Sequence, residues 1–162
     1  MEKYFRDIDE RFDYGEGIEV VAGHPLKAFI KDYVLQYDND FYVPLSERVD
    51  IEVFSKKLSD LSTTFIIFKD GVVAGLICSY FYQPEIQKGF ITLVHTKHEC
   101  RGQHLSLPLL DAVKKYAQKK GFKHIGLFVS KQQTSAYNLY SRHGFVTVRE
   151  EENGRCQMEC NI

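Results

Sequence analysis

The sequence lacks the features that place a protein in a membrane or on nucleic acid. No apolar run approaches the ~20 residues of a membrane span, and residues 1–17 are charged where a signal region would be apolar. The 162 residues carry a net charge of -1, so no basic field is available to attract nucleic acid or an anionic membrane surface. We therefore expect a cytoplasmic protein with neither kind of partner.

Cysteine is also scarce, with 4 residues and no CxxC spacing. This excludes the dense pattern of a small disulfide scaffold and favours reduced thiols in a reducing compartment. One local cluster has side chains of the types that bind zinc: His95, His98, Cys100 and His104. Its spacing fits no familiar zinc pattern, so we predict a polar loop and no metal, and keep a metal-binding protein as an alternative.

The chain is long enough for one full core and too short for two ordinary domains, with 44% hydrophobic residues. We predict a single domain over residues 1–162. The oligomeric state is left open, with a homodimer among the alternatives.

In the first part of the chain, apolar residues recur at i, i+3 and i+4 from Pro25 to Tyr37. This spacing predicts a helix, with Pro25 at its first position. A shorter helix is predicted after Asp50, which suits an N-cap. An aromatic, acidic loop over residues 38–48 separates the two helices, and residues 18–21 form a candidate first strand.

The rest of the chain alternates strand and helix patterns. An Asp70-Gly71 turn joins two predicted strands, and Asn153-Gly154 makes a final hairpin. The predicted strands cover residues 65–68, 72–82, 89–96, 124–129, 145–149 and 155–160, and the helices run from about Ser106 to Gly121 and over 134–143. The order is two helices, three strands, helix, strand, helix, two strands. This order predicts an α/β protein of the α+β type, with helices on the faces of a mixed sheet.

The most informative segment is the loop between the third of these strands and the next helix, Lys97 to Ser106. A helix that begins after a strand leaves free backbone N–H groups at its positive end, which is a ready anion site. Phosphate is the natural ligand of such a site.

Two blocks together resemble the GNAT acetyltransferase superfamily. In the loop, Arg101, His104 and Ser106 occupy the positions of the family's Arg or Gln, Gly, and Gly or Ala. A later block has the spacing of the signature Val-x3-Asn-x2-Ala-x2-Leu-Tyr-x3-Gly-Phe, with only Gln133 differing: Val129, Gln133, Ala136, Leu139, Tyr140, Gly144 and Phe145. The resemblance covers the chain from about Phe65 onward.

The resemblance implies a GNAT-like domain whose mostly antiparallel sheet is split near its middle. It implies an N-acetyltransferase that moves the acetyl group of acetyl-CoA to a primary amine by direct attack, with Tyr140 as the general acid. The coenzyme-binding residues that it implies are Val94, His95, Thr96, Arg101, Gly102, Gln103, His104, Leu105, Ser106, Gln133 and Tyr140. Backbone N–H groups from Gln103 to Ser106 would hold the pyrophosphate, and those of Val94 to Thr96 the thioester arm.

His104 departs from the family's Gly, and a side chain there would crowd a backbone that approaches phosphate. We expect His104→Gly to preserve or tighten coenzyme binding.

The general base is not determined, because Thr92 stands where some members carry Glu. His95, Glu85 or a water chain could serve. The acceptor is expected against the first two helices and their loop, where Arg48 could meet a carboxylate or phosphate and three carboxylates could attract an amine: Asp38, Asp40 and Glu47. Polyamines, amino sugars, amino acids, antibiotics and peptide lysines all stay open, and we favour a small molecule. A non-catalytic module that binds acyl-CoA is the other alternative.

Overall fold

A computed structural model describes all 162 residues, and its eight strands form one sheet. The strands are β1 (Phe5–Asp13), β2 (Ile18–Pro25), β3 (Ser62–Lys69), β4 (Val72–Tyr80), β5 (Lys88–Thr96), β6 (His124–Ser130), β7 (Val146–Glu150) and β8 (Arg155–Asn161). The helices are α1 (Lys27–Gln36), α2 (Ile51–Leu61), α3 (Ser106–Lys119) and α4 (Thr134–Arg142). None of these helices is long and apolar enough to cross a membrane.

The strand order across the sheet is β1-β2-β3-β4-β5-β6-β8-β7. Every neighbouring pair is antiparallel except β5 and β6, which are parallel. The connection from β5 to β6 runs through α3, as a parallel pair requires. The predicted fold class, a mixed and mostly antiparallel sheet with helices, is confirmed.

The centre of the sheet is buried on both faces. Along β3, Phe65 and Ile67 belong to the apolar core that includes α3 and α4, whereas Ile66 and Phe68 belong to the core that includes α1 and α2. Successive side chains of a strand point to opposite faces, so the two helix pairs cover opposite faces of the sheet. This arrangement explains the unbroken apolar run in β3, which would alternate if one face met water.

The structure explains where the first two helices begin. The Asp50 side chain accepts a hydrogen bond from the backbone N–H of Val53 at 3.1 Å, which confirms Asp50 as the N-cap of α2. The prediction for α1 was wrong at its start. Pro25 is the last residue of β2, and the helix begins two residues later at Lys27.

The sequence prediction missed β1 altogether. This strand pairs only with β2 and forms one edge of the sheet. Its nine residues FRDIDERFD carry six charges, and register shifts between Phe5 and Asp7 and between Ile8 and Glu10 interrupt the alternation that marks a strand. Charged side chains are common on edge strands, because they prevent a second chain from pairing there.

Candidate active site

The sheet opens between β5 and β6. The two strands pair only over Lys88–Phe90 and His124–Gly126, and beyond these residues they separate. This confirms the predicted split. The β4–β5 register shifts so that Thr92 has no partner in β4. A bulge of this kind bends its strand, and here it lies where β5 leaves β6.

A cleft of about 930 Å³ occupies the opening. Residues implied by the resemblance line it from three segments: Val94, His95 and Thr96 on β5, Arg101, Gly102, His104, Leu105 and Ser106 in the following loop, and Gln133 and Tyr140 at α4. Gln103 is the exception, since its exposed side chain lies outside the lining of the cleft. The structure therefore brings together segments that are some forty residues apart in the chain.

Backbone donors of β5 face this cleft. Lys97 donates its N–H to Ala74 at 2.9 Å, and in an antiparallel ladder alternate residues face the same neighbour. His95 therefore directs its backbone N–H to β4, whereas Val94 and Thr96 direct theirs toward β6. Because β6 has already separated, the donors available in the opening are those of Val94 and Thr96.

The loop before α3 presents a second group of donors. No backbone N–H from Gly102 to Ser106 makes a hydrogen bond within the chain. Gly102 and His104 have φ of 83° and 57°, which turns the backbone into the left-handed region on both sides of Gln103. The sequence predicts these free N–H groups, and consecutive donors of this kind at a helix N-terminus can bind an anion.

Tyr140 lies on α4 at the cleft and is only 6% exposed. Its ring packs edge-on against Phe145, with 5.7 Å between ring centroids, and its hydroxyl makes no hydrogen bond within the chain. Burial raises the pKa of Tyr140 to about 12, because the phenolate would lose its hydration. Tyr140 is therefore a protonated phenol at neutral pH with its donor unused.

His95 is not placed to act as the general base. Its side chain is 3% exposed and is held at both nitrogens, with the Tyr33 hydroxyl 2.7 Å from Nδ1 and the Asp40 carboxylate 3.0 Å from Nε2. A carboxylate only accepts, so Nε2–H donates to Asp40 and Nδ1 accepts from Tyr33. Burial outweighs the attraction of Asp40 and lowers the pKa of His95. The imidazole is neutral, but neither nitrogen is free to take a proton from an amine.

This buried imidazole should make stability depend on pH. In the unfolded chain His95 gains a proton near its ordinary pKa of about 6.5, whereas the folded side chain resists protonation until lower pH. Since the unfolded state binds more protons, the free energy of unfolding falls as pH drops from 7 through that range. One proton contributes at most about 1.4 kcal/mol per pH unit.

We expect urea unfolding of the protein at pH 7.5 and 5.5 to show this loss, and His95→Gln to reduce the difference. The pKa of His143 is also lowered by burial, so His143→Gln is the matched control. This variant should lose the contribution of His143 to the pH dependence of the free energy of unfolding and keep that of His95. An unchanged pH dependence in His95→Gln would mean that the buried imidazole is not its cause.

The carboxylates of the predicted acceptor region do not all face the cleft. Asp38 is held by the N–H and hydroxyl of Ser46 at 2.9 and 2.5 Å. Glu47 and Glu85 lie outside the cleft lining, whereas Asp40 and Arg48 line it. The hydrogen bond from His95 is the main reason that the pKa of Asp40 is lowered, so this carboxylate is ionised.

Sequence reasoning missed part of the site. A side chamber of about 500 Å³ adjoins the cleft, and residues from the β7–β8 hairpin and from β6 line it, including Asn153, Arg155 and Phe128. The Asn153-Gly154 turn was visible in the sequence. Nothing in its pattern indicated that the hairpin would fold back to the opening of the sheet.

The four residues of the zinc alternative do not form a metal site, although His95 and His98 both approach Asp40 Oδ2. His95 is bonded to Tyr33 and Asp40, and no group of three or more His, Cys, Asp and Glu side chains is placed to hold a metal ion. The cysteines are all free.

Comparison with known proteins agrees with this geometry. The family model described as the Acetyltransferase (GNAT) family matches residues 28–145. No curated protein sequence matches the chain.

Solved structures share the fold at low identity. The PaiA N-acetyltransferase of Thermoplasma acidophilum, in complex with coenzyme A, has a TM-score of 0.68 at 16% identity, over 88% of this chain and 99% of that one. The ribosomal-protein-S18-alanine N-acetyltransferase of Escherichia coli has 0.69 at 14%, over 88% and 94%. An acetyltransferase of the GNAT family from Streptococcus pneumoniae has 0.62 at 23%, over 88% and 99%. Because the family model covers well over half of the sequence, these findings establish that the chain belongs to the GNAT family of acetyltransferases.

Proposed function

We propose that the protein transfers the acetyl group of acetyl-CoA to a primary amine of a small molecule by direct attack. The observation that carries the proposal is the opening between β5 and β6, which has free backbone donors along one wall and at one end and a buried phenol on the other side. The proposal also keeps the expectation of a single domain that acts in the cytoplasm.

In this proposal the coenzyme diphosphate binds the free N–H groups from Gly102 to Ser106. Arg101 supports the loop, because its Nε donates to the carbonyl of Thr96 at 3.3 Å and so ties the loop to β5. Gln133 braces the turn before α4 by accepting from the N–H of Ser130 at 3.2 Å, which leaves its amide N–H₂ for the coenzyme. The thioester arm lies against Val94 and Thr96.

The strained loop residue gives a direct test of the coenzyme site. His104 adopts φ of 57°, where a side chain costs about 1–2 kcal/mol that Gly does not incur. We therefore expect His104→Gly to leave the free energy of unfolding unchanged or raise it by up to about 1 kcal/mol, with coenzyme affinity equal or tighter.

Gln103→Gly is the control for this substitution, since Gln103 is the neighbour whose φ is not positive and the change should only destabilise. A titration in which His104→Gly loses most of its coenzyme affinity would mean that the imidazole is itself a ligand.

Acetyl transfer then follows from the positions of these groups. The neutral amine attacks the thioester carbonyl carbon, and the oxygen that gains charge is stabilised by the backbone donors of β5. The C–S bond breaks as the tetrahedral intermediate collapses, the departing thiolate takes the proton of Tyr140, and the phenolate then regains a proton from water in the cleft.

The proton of the amine leaves by another path. Both nitrogens of His95 are already bonded, and the lowered pKa of Asp40 makes this carboxylate a weak base. We assign Asp40 to attracting the ammonium form of the acceptor. Its Oδ2 is held by His95, which Tyr33 holds in turn, and lies 3.4 Å from His98 and 3.9 Å from Arg101. Water in the open cleft is then the route by which the proton leaves.

The test is release of free thiol from acetyl-CoA with a broad panel of primary amines. The proposal predicts release that depends on one class of amine and yields the N-acetyl product. The missing carboxylate base favours one other candidate, a module that binds acyl-CoA without turnover. Tight coenzyme binding with no release for any amine would support that candidate and contradict the enzyme.

A further inference from the structure

The side chamber next to the cleft has an unusual charge. Of its 13 lining residues none is acidic, and Arg48 and Arg155 are the charged ones. The whole chain has a net charge of -1, so this concentration of positive charge is local. Two arginines that converge on one cavity without a carboxylate form a site for an anion with several oxygens.

Each guanidinium is held in place by a neighbour and keeps further N–H donors free. Nε of Arg48 donates to the carbonyl of Val43 at 3.2 Å, and no carboxylate lies within ion-pair distance of its other nitrogens. Arg155 stacks over Phe128, with 4.0 Å from the guanidinium carbon to the ring centroid. Its one acidic contact is with the half-buried Glu151 at 3.7 Å, which is a long and partly solvated pair.

The carboxylate of Asp38 does not neutralise the charge of Arg48 and Arg155. Asp38 lies near Arg48 but is already bonded to Ser46. Partial burial and the positive charge of Arg155 lower the pKa of Arg48, and Asp38 offsets this only in part. An anion between the two guanidinium groups would relieve their repulsion.

The chamber connects to the place where the acetyl group would be transferred. Arg48, Thr92 and Gln133 line both the chamber and the cleft. Tyr42 donates to Gln132 across the boundary, which joins the α1–α2 loop to the β6–α4 loop. A small molecule anchored at the arginines can therefore extend its other end along Thr92 to the backbone donors of β5.

We infer that the acceptor is an amine that also carries an anionic oxygen group, a carboxylate or a phosphate, which binds between Arg48 and Arg155. This inference rests on the proposed function, because it assigns the acceptor of that same reaction. The amine end reaches the cleft, where Asp40 provides the opposite charge.

The experiment uses amines in matched sets on the full chain. Each set holds an amino acid, its carboxamide and its decarboxylated amine, and a second series holds aminoalkyl phosphonates with their uncharged analogues. We expect the anionic member to have a KM roughly 10- to 100-fold lower than the neutral ones, as one or two charged hydrogen bonds provide.

Three variants locate the effect. Arg48→Gln and Arg155→Gln should each raise the KM of the anionic member by about tenfold or more and leave the neutral members unchanged. Arg149→Gln is the matched control, since Arg149 is exposed on β7 and outside both cavities. It removes the same charge and should change nothing.

The possible outcomes distinguish a failure of this inference from a failure of the proposed function. Acetylation of amines without preference for the anionic member, or arginine variants that behave like Arg149→Gln, overturns the inference and leaves the function standing. Weaker acetyl-CoA binding in the arginine variants with an unchanged preference would assign the pair to a coenzyme phosphate, and so overturns it too. No acetylation of any amine, with the coenzyme still bound, overturns both.

Discussion

Tyr140→Phe is expected to lower kcat by about 10²-fold with near-normal affinity for acetyl-CoA. General acid catalysis typically contributes about 10²–10⁴-fold, and the low end applies here. Burial raises the pKa of Tyr140 to about 12, well above the roughly 8.5 of a thiol. Proton transfer from the phenol to the thiolate is therefore unfavourable, although the phenol stabilises the thiolate. Steady-state and single-turnover kinetics with the true acceptor measure the loss.

The fold should tolerate this change, because the Tyr140 hydroxyl makes no hydrogen bond within the chain and the ring still packs on Phe145. Tyr137→Phe on the same helix is the control. Its hydroxyl lies 3.1 Å from that of Thr147, away from the cleft lining, so its loss should leave kcat unchanged. Full turnover in Tyr140→Phe across the pH range would reduce Tyr140 to a packing or coenzyme-contact residue.

Ser106→Glu is expected to weaken acetyl-CoA binding by roughly 10²-fold, because like charges about 4 Å apart repel by about 1–4 kcal/mol near a protein surface. Ser106 is the first residue of α3 and lines the cleft beside the free N–H groups. A carboxylate there occupies the place of the diphosphate. Calorimetric titration with acetyl-CoA gives the dissociation constant.

The same change should not harm the free protein, since a negative charge in the first turn of a helix is stabilising by about 0.3–1 kcal/mol. Ser106→Gln is the control, because glutamine is nearly the same size as glutamate but carries no charge. This variant should lose far less affinity for acetyl-CoA. Equal losses in both variants would mean that bulk alone blocks the loop, and unchanged binding in Ser106→Glu would place the diphosphate elsewhere.

Local patterns in the sequence were sufficient for most of the fold. The order of the elements from α1 onward follows from periodicity and turn residues, and α3 begins at Ser106 as predicted. The free N–H groups of the loop before α3 could also be predicted, because a helix N-terminus after a strand leaves its N–H groups free in any such connection. His104 could be marked as unusual from the motif alone, and its positive φ gives the physical reason.

Long-range contacts account for what was missed. His95 was placed at the coenzyme arm and among possible bases, but its partner Tyr33 is 62 residues away, and their bond decides its role. Arg155 and Phe128 reach the side chamber only because β8 pairs with β6 along its whole length. Strand β1 was missed because it is rich in charges and because two register shifts interrupt its alternation.

A crystal structure of the protein with acetyl-CoA would show directly whether the coenzyme binds in the opening of the sheet. We expect the thioester arm between β5 and β6, with diphosphate oxygens about 2.7–3.2 Å from backbone nitrogens between Gly102 and Ser106. We also expect the sulfur next to the Tyr140 hydroxyl. A coenzyme bound outside the β5–β6 opening, or with its diphosphate away from these N–H groups, would contradict the proposed site and the mechanism built on it.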